Sequence, residues 1–254
     1  MNLEKSRVDS HLETAELFGY PIHLVTSEQA RDFVRNSIAR RKTVHVVTLN
    51  PEMMMQGDEN PDLGNILRSA ELVLPDGAGV VWALRKQGYQ VNRLPGIEFC
   101  ESLLAWAAET DQRVAIVGAT RPALELAVQT MQERYPHLKI VYSHHGFFKT
   151  GDEENLIAQS CAAMLPKIVL VALGVPRQEL WIQRHRHLFP GATIIGVGGS
   201  LDVWSGKTQR APALMRQLNL EWMYRIASEP WRIKRTYKTL PLFVVKVLLF
   251  GSRP

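Results

Sequence analysis

The chain reads Lys167-Ile-Val-Leu-Val-Ala-Leu173 and, after a helix-like stretch at 178–187, Ala192-Thr-Ile-Ile-Gly-Val197. Each apolar run is short, continuous and followed by glycine, as in strands that are buried on both faces of a sheet. Strand-like runs at 44–49, 72–74, 113–117 and 139–142 alternate with helix-like stretches that end near 69 or lie at 79–86, 96–109, 122–135 and 152–164. The alternation predicts an α/β fold, a Rossmann-like and mostly parallel sheet with helices on both faces.

Composition limits the classes of protein that fit this pattern. The 254 residues are 46% hydrophobic and 22% charged, which is enough for one well-buried core. The two cysteines, Cys100 and Cys161, form no CxxC motif and no Cys/His cluster, so we expect a reducing compartment and neither a disulfide framework nor a zinc site. We also expect no signal peptide and no spanning helix, which would need about 18 or more consecutive apolar residues.

The positive charge is concentrated at the C-terminal end. Residues 221–254 hold seven lysines and arginines against two acids, and therefore carry the whole net charge of +5. Because a nucleic-acid binder more often spreads its basic residues over the fold, this segregation favours a dedicated anionic partner. We expect three segments: an N-terminal tail at 1–12, an α/β core at 13–218 and a helical, basic appendage at 219–254. The apolar run at 240–250 fits either a membrane surface or packing on the core.

One strand end carries an acid. The stretch Glu71-Leu-Val-Leu-Pro-Asp76-Gly77-Ala-Gly79 places a carboxylate and two glycines directly after an apolar run. Ligands of open α/β sheets bind at the carboxyl ends of the strands, and glycines let them approach the backbone. Asp76 is therefore a candidate general base. The alternative is an ordinary turn, for which Pro-Asp-Gly is also suitable.

Other strand ends carry polar groups of the same kind. Thr48 and Asn50 face one side of a strand and offer a hydroxyl and an amide, although Asn50 also fits a helix cap before a proline. Gln178 opens the helix after the 167–173 strand, where an amide could bind a ligand hydroxyl. Gly198 and Gly199 lie in a glycine-rich turn of the type that holds phosphate. The turn is not GxGxxG, which weakens the case for a nicotinamide-dependent oxidoreductase.

If the ligand at the glycine-rich turn is a nucleoside diphosphate, arginines are the candidates for neutralising its charge. The chain has no DxD motif to hold a divalent metal, so positive side chains and helix dipoles would carry this role. The candidates are Arg93 in the core and Arg225, Arg232 and Arg235 in the tail. Arg232 and Arg235 are three residues apart and so share one face of a helix. The alternative for the tail arginines is a solvated basic face.

Taken together and in this order, these segments resemble the WecG/TagA/CpsF family of bacterial glycosyltransferases over about residues 18–235. The resemblance is specific only as a set. It is carried by Thr48-Leu-Asn50, Leu74-Pro-Asp-Gly77, Arg93 through Gly96, Val171-Ala-Leu-Gly-Val-Pro-Arg-Gln178-Glu, Gly196-Val-Gly-Gly-Ser-Leu-Asp202-Val-Trp-Ser-Gly206, Arg210-Ala-Pro212 and Leu220-Glu-Trp-Met-Tyr-Arg225.

The resemblance implies an inverting glycosyltransferase. Such an enzyme moves a sugar, N-acetylmannosamine or a related N-acetylhexosamine or uronate, from UDP to a polyprenyl-diphosphate-linked acceptor in cell-surface polysaccharide synthesis. The resemblance implies that Asp76 is the base and that the appendage completes the site. We therefore predict catalytic roles for Asp76 and Arg232. The predicted substrate-binding residues are Thr48, Asn50, Arg93, Gln178, Gly198, Gly199, Arg225 and Arg235.

The predicted partners follow from the same assignment. They are a UDP-sugar donor, a lipid-diphosphate-linked acceptor and an anionic membrane surface, with self-association as a further option. We predict no cofactor, no metal and no nucleic acid, and a cytoplasmic location on the inner face of the cell membrane. The rival hypothesis is a non-catalytic nucleotide-binding module that its basic tail docks on anionic membrane or nucleic acid.

Overall fold

The structure, a computed structural model, describes residues 12–217, 220–228 and 233–250. The strands are β1 (Thr14–Leu17), β2 (Tyr20–His23), β3 (Val44–Leu49), β4 (Leu72–Pro75), β5 (Arg113–Gly118), β6 (Lys139–His144), β7 (Ile168–Ala172) and β8 (Thr193–Gly196). The helices are α1 (Ser27–Ala39), α2 (Pro51–Glu59), α3 (Pro61–Ser69), α4 (Ala78–Lys86), α5 (Gly96–Glu109), α6 (Arg121–Arg134), α7 (Gly151–Ala163), α8 (Arg177–His185), α9 (Ser200–Trp204), α10 (Ala213–Gln217), α11 (Glu221–Ser228) and α12 (Ile233–Phe250).

Six of the strands form one sheet in the order β4-β3-β8-β7-β5-β6, and every neighbouring pair is parallel. Successive strand residues enter hydrophobic clusters on opposite faces. Val46 and Val114 pack in one cluster, whereas Val47 and Ala115 pack in two others. Since side chains alternate along a strand, both faces of the sheet are covered by helices. The predicted fold class is confirmed.

Side-chain caps set where several helices begin. Oδ1 of Asn50 accepts the backbone N–H of Met53, and Asn60 does the same for Leu63. A proline follows each asparagine at the first helical position. Such caps stabilise a helix by about 1 kcal/mol each. The helix-like stretch that the sequence extends to about residue 69 is therefore two helices, because Asn60 ends α2 and caps α3.

A small hairpin, absent from the sequence-based expectations, packs beside the edge of the sheet. β1 and β2 pair antiparallel through a two-residue turn whose residues, Phe18 and Gly19, both have positive φ, as such hairpin turns require. Nδ1 of His23 lies 2.9 Å from the backbone N of Val73 in β4 and accepts its hydrogen bond. The Tyr20 side chain is fully buried, and its hydroxyl donates to Oδ1 of Asp58 in α2. The hairpin is thus an integral part of the hydrophobic core near β4.

The last helix has two different sides. Phe243 and Val247 of α12 are fully buried in the cluster that contains β3 and β4 residues. Lys246 adds an ion pair with Asp58 of α2, with its Nζ 2.6 Å from Oδ2. Six large aliphatic or aromatic side chains near the end of α12 are exposed: Leu242, Val244, Val245, Leu248, Leu249 and Phe250. No helix among the described residues is long and apolar enough to cross a membrane.

Candidate active site

Strand order brings together residues that are far apart in the sequence. β4, β3, β8 and β7 lie side by side, and the turns that follow them meet at one edge of the sheet. A cavity of about 1190 Å³ opens there. Of the residues predicted from sequence, it is lined by Thr48, Asn50, Asp76, Arg93, Gln178, Gly198 and Gly199. The core residues of the predicted site therefore share a single cavity.

The turn after β4 is bonded to the end of β3. The backbone N–H groups of Asp76 and Gly77 both donate to the carbonyl oxygen of Leu49, at 3.1 and 3.2 Å. A Cβ at position 77 would lie 2.5 Å from Cδ of Pro51, so only glycine fits this contact. The segment therefore forms a tight turn and also places Asp76 at the cavity. The turn is what holds the Asp76 side chain at the cavity.

The end of β3 supplies two polar groups. Asn50 caps α2 through Oδ1, as its position before a proline predicts, and it also lines the cavity. Thr48 lies against Gly96 at the start of α5. A Cβ on Gly96 would come within 2.8 Å of Cγ2 and 2.9 Å of Oγ1 of Thr48. The Arg93–Gly96 segment therefore fixes the position of the Thr48 hydroxyl.

Arg93 joins the core acid to the C-terminal segment. Its Nη2 lies 3.3 Å from Oδ1 of Asp76 and 3.0 Å from Oε2 of Glu221 in α11, and its Nε donates to the backbone oxygen of Asp76. Burial alone would lower the pKa of Arg93, but the two carboxylates outweigh burial and raise it above its ordinary value. Arg93 is consequently charged throughout the physiological range and orients Asp76 directly.

The glycine turn is tied to Gln178 of α8. The backbone N–H of Gly198 donates to Oε1 of Gln178 at 3.0 Å. The Gln178 side chain is almost fully buried, yet it lines the cavity. The N–H of Gly198 is therefore committed to a protein group, a detail that the spacing of the glycines does not reveal.

The C-terminal segment contributes a wall of the cavity. The residues of this segment that line it are Glu221, Trp222, Tyr237, Thr239, Leu240, Pro241, Phe243, Val244 and Val245. Arg232 lies outside the described residues, and the structure describes the helices that carry Arg225 and Arg235 but not those two side chains. Trp82 of α4 also lines the cavity, and the sequence pattern singles out none of Glu221, Trp222, Tyr237 and Trp82 as site residues. The one signal for Glu221 was its place in the stretch from Leu220 to Arg225.

No group of three or more His, Cys, Asp or Glu side chains that could hold a metal ion occurs in the described parts of the chain. The charged groups that the structure does place at the cavity are Asp76, Arg93, Glu52 and Glu221. Arg93 is the cation among these four.

An acid, an arginine and several amide and hydroxyl groups at the carboxyl edge of a parallel sheet define an α/β enzyme with a large, open active-site cavity. Residues 15–253 match the Glycosyl transferase WecG/TagA/CpsF family, and the chain belongs to that family. The enzyme class predicted from the sequence, a glycosyltransferase, is confirmed.

Relatives that share one name align with most of the chain. The N-acetylglucosaminyldiphosphoundecaprenol N-acetyl-beta-D-mannosaminyltransferase of Bacillus subtilis is 37% identical over 204 residues, which are 80% of this chain and 78% of the relative. The enzyme of the same name from Bacillus spizizenii is 34% identical over 92% of this chain and 86% of its own length. The one from Staphylococcus aureus MW2 is 32% identical over 94% of this chain and 93% of its own length.

Proposed function

We propose that this enzyme transfers N-acetylmannosamine from UDP to N-acetylglucosamine that is linked through diphosphate to a polyprenyl lipid, with inversion at the anomeric carbon. The names of its relatives supply the sugar and the acceptor. The observation that carries the proposal is the position of Asp76, held by Arg93 at a cavity that is also lined by Thr48, Asn50 and Gln178.

In the proposed reaction Asp76 is the general base. It takes the proton of the acceptor hydroxyl as that oxygen attacks the anomeric carbon from the face opposite UDP. A new carbon–oxygen bond forms, the bond between the anomeric carbon and the diphosphate oxygen breaks, and UDP leaves with the bonding electrons. Attack opposite the leaving group inverts the configuration. Thr48, Asn50 and Gln178 would bind the hydroxyl, amide and nucleotide groups of the two substrates.

The leaving diphosphate requires positive charge. Arg93 is already engaged with Asp76 and Glu221, so its role is to hold the base. The diphosphate role then falls to Arg225, Arg232 and Arg235 of the appendage, with Gly199 in the glycine turn. Glu221 supports this arrangement, because its contact with Arg93 brings the start of α11 to the cavity.

We also propose that residues 219–254 dock the enzyme on the cytoplasmic face of the cell membrane. The exposed apolar side of α12 and the net charge of +5 in this segment favour an anionic lipid surface. Near such a surface each lysine or arginine contributes about 1 kcal/mol, and buried apolar area adds to it. Because α12 also lines the cavity, docking would bring a lipid-linked acceptor to the site.

The test is an assay of UDP release from UDP-N-acetylmannosamine in the presence of a lipid-diphosphate-linked N-acetylglucosamine acceptor. We expect release only when both substrates are present, with a β-configured product from an α-configured donor. Other UDP-sugars serve as controls for the donor, and acceptor lacking the diphosphate serves as control for the acceptor. Nucleotide binding without turnover of any UDP-sugar would instead support the non-catalytic binding module.

A further inference from the structure

A buried chain of polar side chains runs from β3 to the glycine turn. Nε2 of His45 in β3 lies 2.6 Å from Oε2 of Glu179 in α8, and both side chains are 1% exposed. Oε1 of Glu179 accepts a hydrogen bond from Nε2 of Gln178 at 3.0 Å. Oε1 of Gln178 accepts the backbone N–H of Gly198 at 3.0 Å. The chain thus links the interior of the sheet to a side chain at the cavity.

Burying this series of polar side chains in the protein core costs free energy. Removing an ionisable pair from water costs free energy that the attraction between the partners often only offsets, and apolar side chains of similar size are frequently as stable. The neighbours of His45 in its strand, Val44 and Val46, are buried and apolar. The stability of the fold therefore does not explain a buried histidine–glutamate pair at this position. The pair is better explained by the group that it holds in place, the side-chain amide of Gln178.

The two contacts of Gln178 select one orientation of its side-chain amide. A carboxylate only accepts hydrogen bonds, so Glu179 can bind the NH₂ group of Gln178 and not its oxygen. The N–H of Gly198 can bind only the oxygen. Nε2 carries a second hydrogen, for which the described residues provide no acceptor, and Gln178 lines the cavity. The fixed amide is therefore a hydrogen-bond donor for an oxygen of a ligand.

Gly196 leaves room for the side chains of Gln178 and Glu179 beside β8. A Cβ on Gly196 at the end of β8 would lie 2.4 Å from Nε2 of Gln178 and 2.5 Å from Oε1 of Glu179. The amide and the carboxylate are thus packed directly against backbone, and neither can rotate into space next to β8. Packing and hydrogen bonding restrict the same side chain.

We propose that His45 and Glu179 are positioning residues, which fix the carboxamide of Gln178 so that its N–H donates to an oxygen of the UDP-sugar donor. His45 holds Glu179, Glu179 holds Gln178, and only Gln178 touches the substrate. The inference rests on the proposed function, because the donor is the ligand assigned to this cavity.

A double-mutant cycle on Glu179 and Gln178 tests the consequence. Gln178→Ala removes the donor, and we expect kcat/KM for the UDP-sugar to fall about 3- to 10-fold, the range for one hydrogen bond. Glu179→Gln keeps the shape of the side chain but allows the carboxamide of Gln178 to flip, and we expect a similar fall in kcat/KM. In the Gln178→Ala background, Glu179→Gln should change kcat/KM less than twofold, because no amide is left to position.

A second histidine–glutamate pair, between α8 and α7, provides a matched control. His185 of α8 contacts Glu154 with its Nε2 3.1 Å from Oε1, outside the residues that line the cavity. Glu154→Gln should therefore leave kcat/KM unchanged in both backgrounds. Equal losses from Glu179→Gln with and without Gln178 would overturn the positioning role while leaving the proposed glycosyl transfer intact.

A second measurement does not depend on turnover. In proton–nitrogen spectra of the full chain, we expect Glu179→Gln to shift the side-chain NH₂ signals of Gln178 and to speed hydrogen exchange at the backbone N–H of Gly198. Unchanged signals from both groups would overturn the inference. If the wild-type protein turns over no UDP-sugar, the proposed function fails, and these spectra still decide whether Glu179 fixes the amide.

Discussion

Asp76 is the residue on which the proposed chemistry depends. Asp76→Asn keeps the size of the side chain and the hydrogen bond to Arg93 but removes the proton acceptor. We expect kcat to fall about 10²- to 10⁴-fold, the usual contribution of general base catalysis, with little change in melting temperature. Asp62→Asn, on the exposed first turn of α3, is the control. Retention of more than about a third of the wild-type kcat would rule out Asp76 as the base.

Gly96 tests the placement of Thr48. Gly96→Ala would push a Cβ into Thr48 at 2.8 Å and displace the hydroxyl from its position at the cavity. If that hydroxyl binds substrate, loss of one hydrogen bond should raise KM for the donor about 3- to 10-fold. Gly151→Ala provides the matched control, since a Cβ there meets nothing within 4 Å. An unchanged KM in Gly96→Ala would show that Thr48 does not bind the donor.

At this scale the sequence reveals some site residues and conceals others. Asp76, Thr48 and Asn50 were predictable because each lies in the last residues of a strand or directly after it, and strand ends are visible in the hydrophobic pattern. Glu221 was not, because an acid at the start of a helix is ordinary on any surface. Its contact with Arg93 joins positions 128 residues apart, and such contacts depend on the packed fold.

Among the structural elements, the β1–β2 hairpin carries a pH-sensitive contact. Burial lowers the pKa of His23 below its ordinary value of 6.5. Its Nδ1 accepts the N–H of Val73, a bond that protonation of Nδ1 would abolish. The folded state thus binds a proton less readily than the unfolded state. The stability that His23 contributes is complete above about pH 6.5 and is lost as the pH falls through the lowered value.

The measurement is denaturant unfolding between pH 7.5 and 5. We expect the free energy of unfolding to decline more steeply with falling pH in the wild-type protein than in His23→Gln, whose side chain does not titrate. His145 and His185, whose pKa values are also lowered by burial, contribute equally to both proteins and belong to the background slope. Parallel declines in the two proteins would show that protonation of His23 does not weaken the hairpin contact.

Helix α12 should respond differently to changes on its two sides. Phe243 is buried, so Phe243→Ala should lower the free energy of unfolding by about 3–5 kcal/mol. Leu249 is exposed, so Leu249→Ser should change stability by no more than about 0.5 kcal/mol. On the docking proposal, Leu249→Ser should weaken co-sedimentation with anionic vesicles, and it should do so without loss of stability. Docking through the exposed side of α12 would be contradicted if co-sedimentation were unaltered both in the Leu249→Ser variant and in the Leu248→Ser variant.

Element boundaries were less predictable than element types. Long periodic stretches such as α5 and α6 were identified from sequence because their apolar positions recur at helical spacing. The four-residue strands of the hairpin were missed, since so few residues hardly establish an alternation. The composition of the 240–250 run predicts either exposure at a membrane surface or packing on the core, whereas α12 packs one side on the core and leaves the other exposed.

For the molecule as a whole, we predict activity without a divalent metal. The sequence has no DxD motif, the described residues include no cluster of three or more His, Cys, Asp or Glu side chains that could hold a metal ion, and residues 219–254 contain four arginines. Turnover in EDTA should therefore match turnover in added Mg²⁺ or Mn²⁺ within about twofold, since the charge of arginine does not depend on chelators. Complete loss of turnover in EDTA, with recovery on adding metal, would reveal a metal requirement.

The topology was only partly predictable. Alternating strands and helices imply a parallel sheet, because a crossover helix returns the chain to the same end of the sheet. The order of the strands is set by which neighbours pack best in three dimensions, and the sequence does not display it. That order is what places Gln178 and Gly198, late in the chain, beside Thr48 and Asp76.

The pairing of β3 with β8 also bears on how the protein is made. Residues 44–46 pair with residues 193–195, about 150 positions later. At about 5–20 residues per second, a ribosome needs roughly 7–30 s to add them. During that time β3 emerges with one edge unpaired, a state that invites pairing with other chains. The yield of native enzyme in a cell should then depend on how well that nascent edge is shielded by chaperones, and on the speed of translation between the two strands.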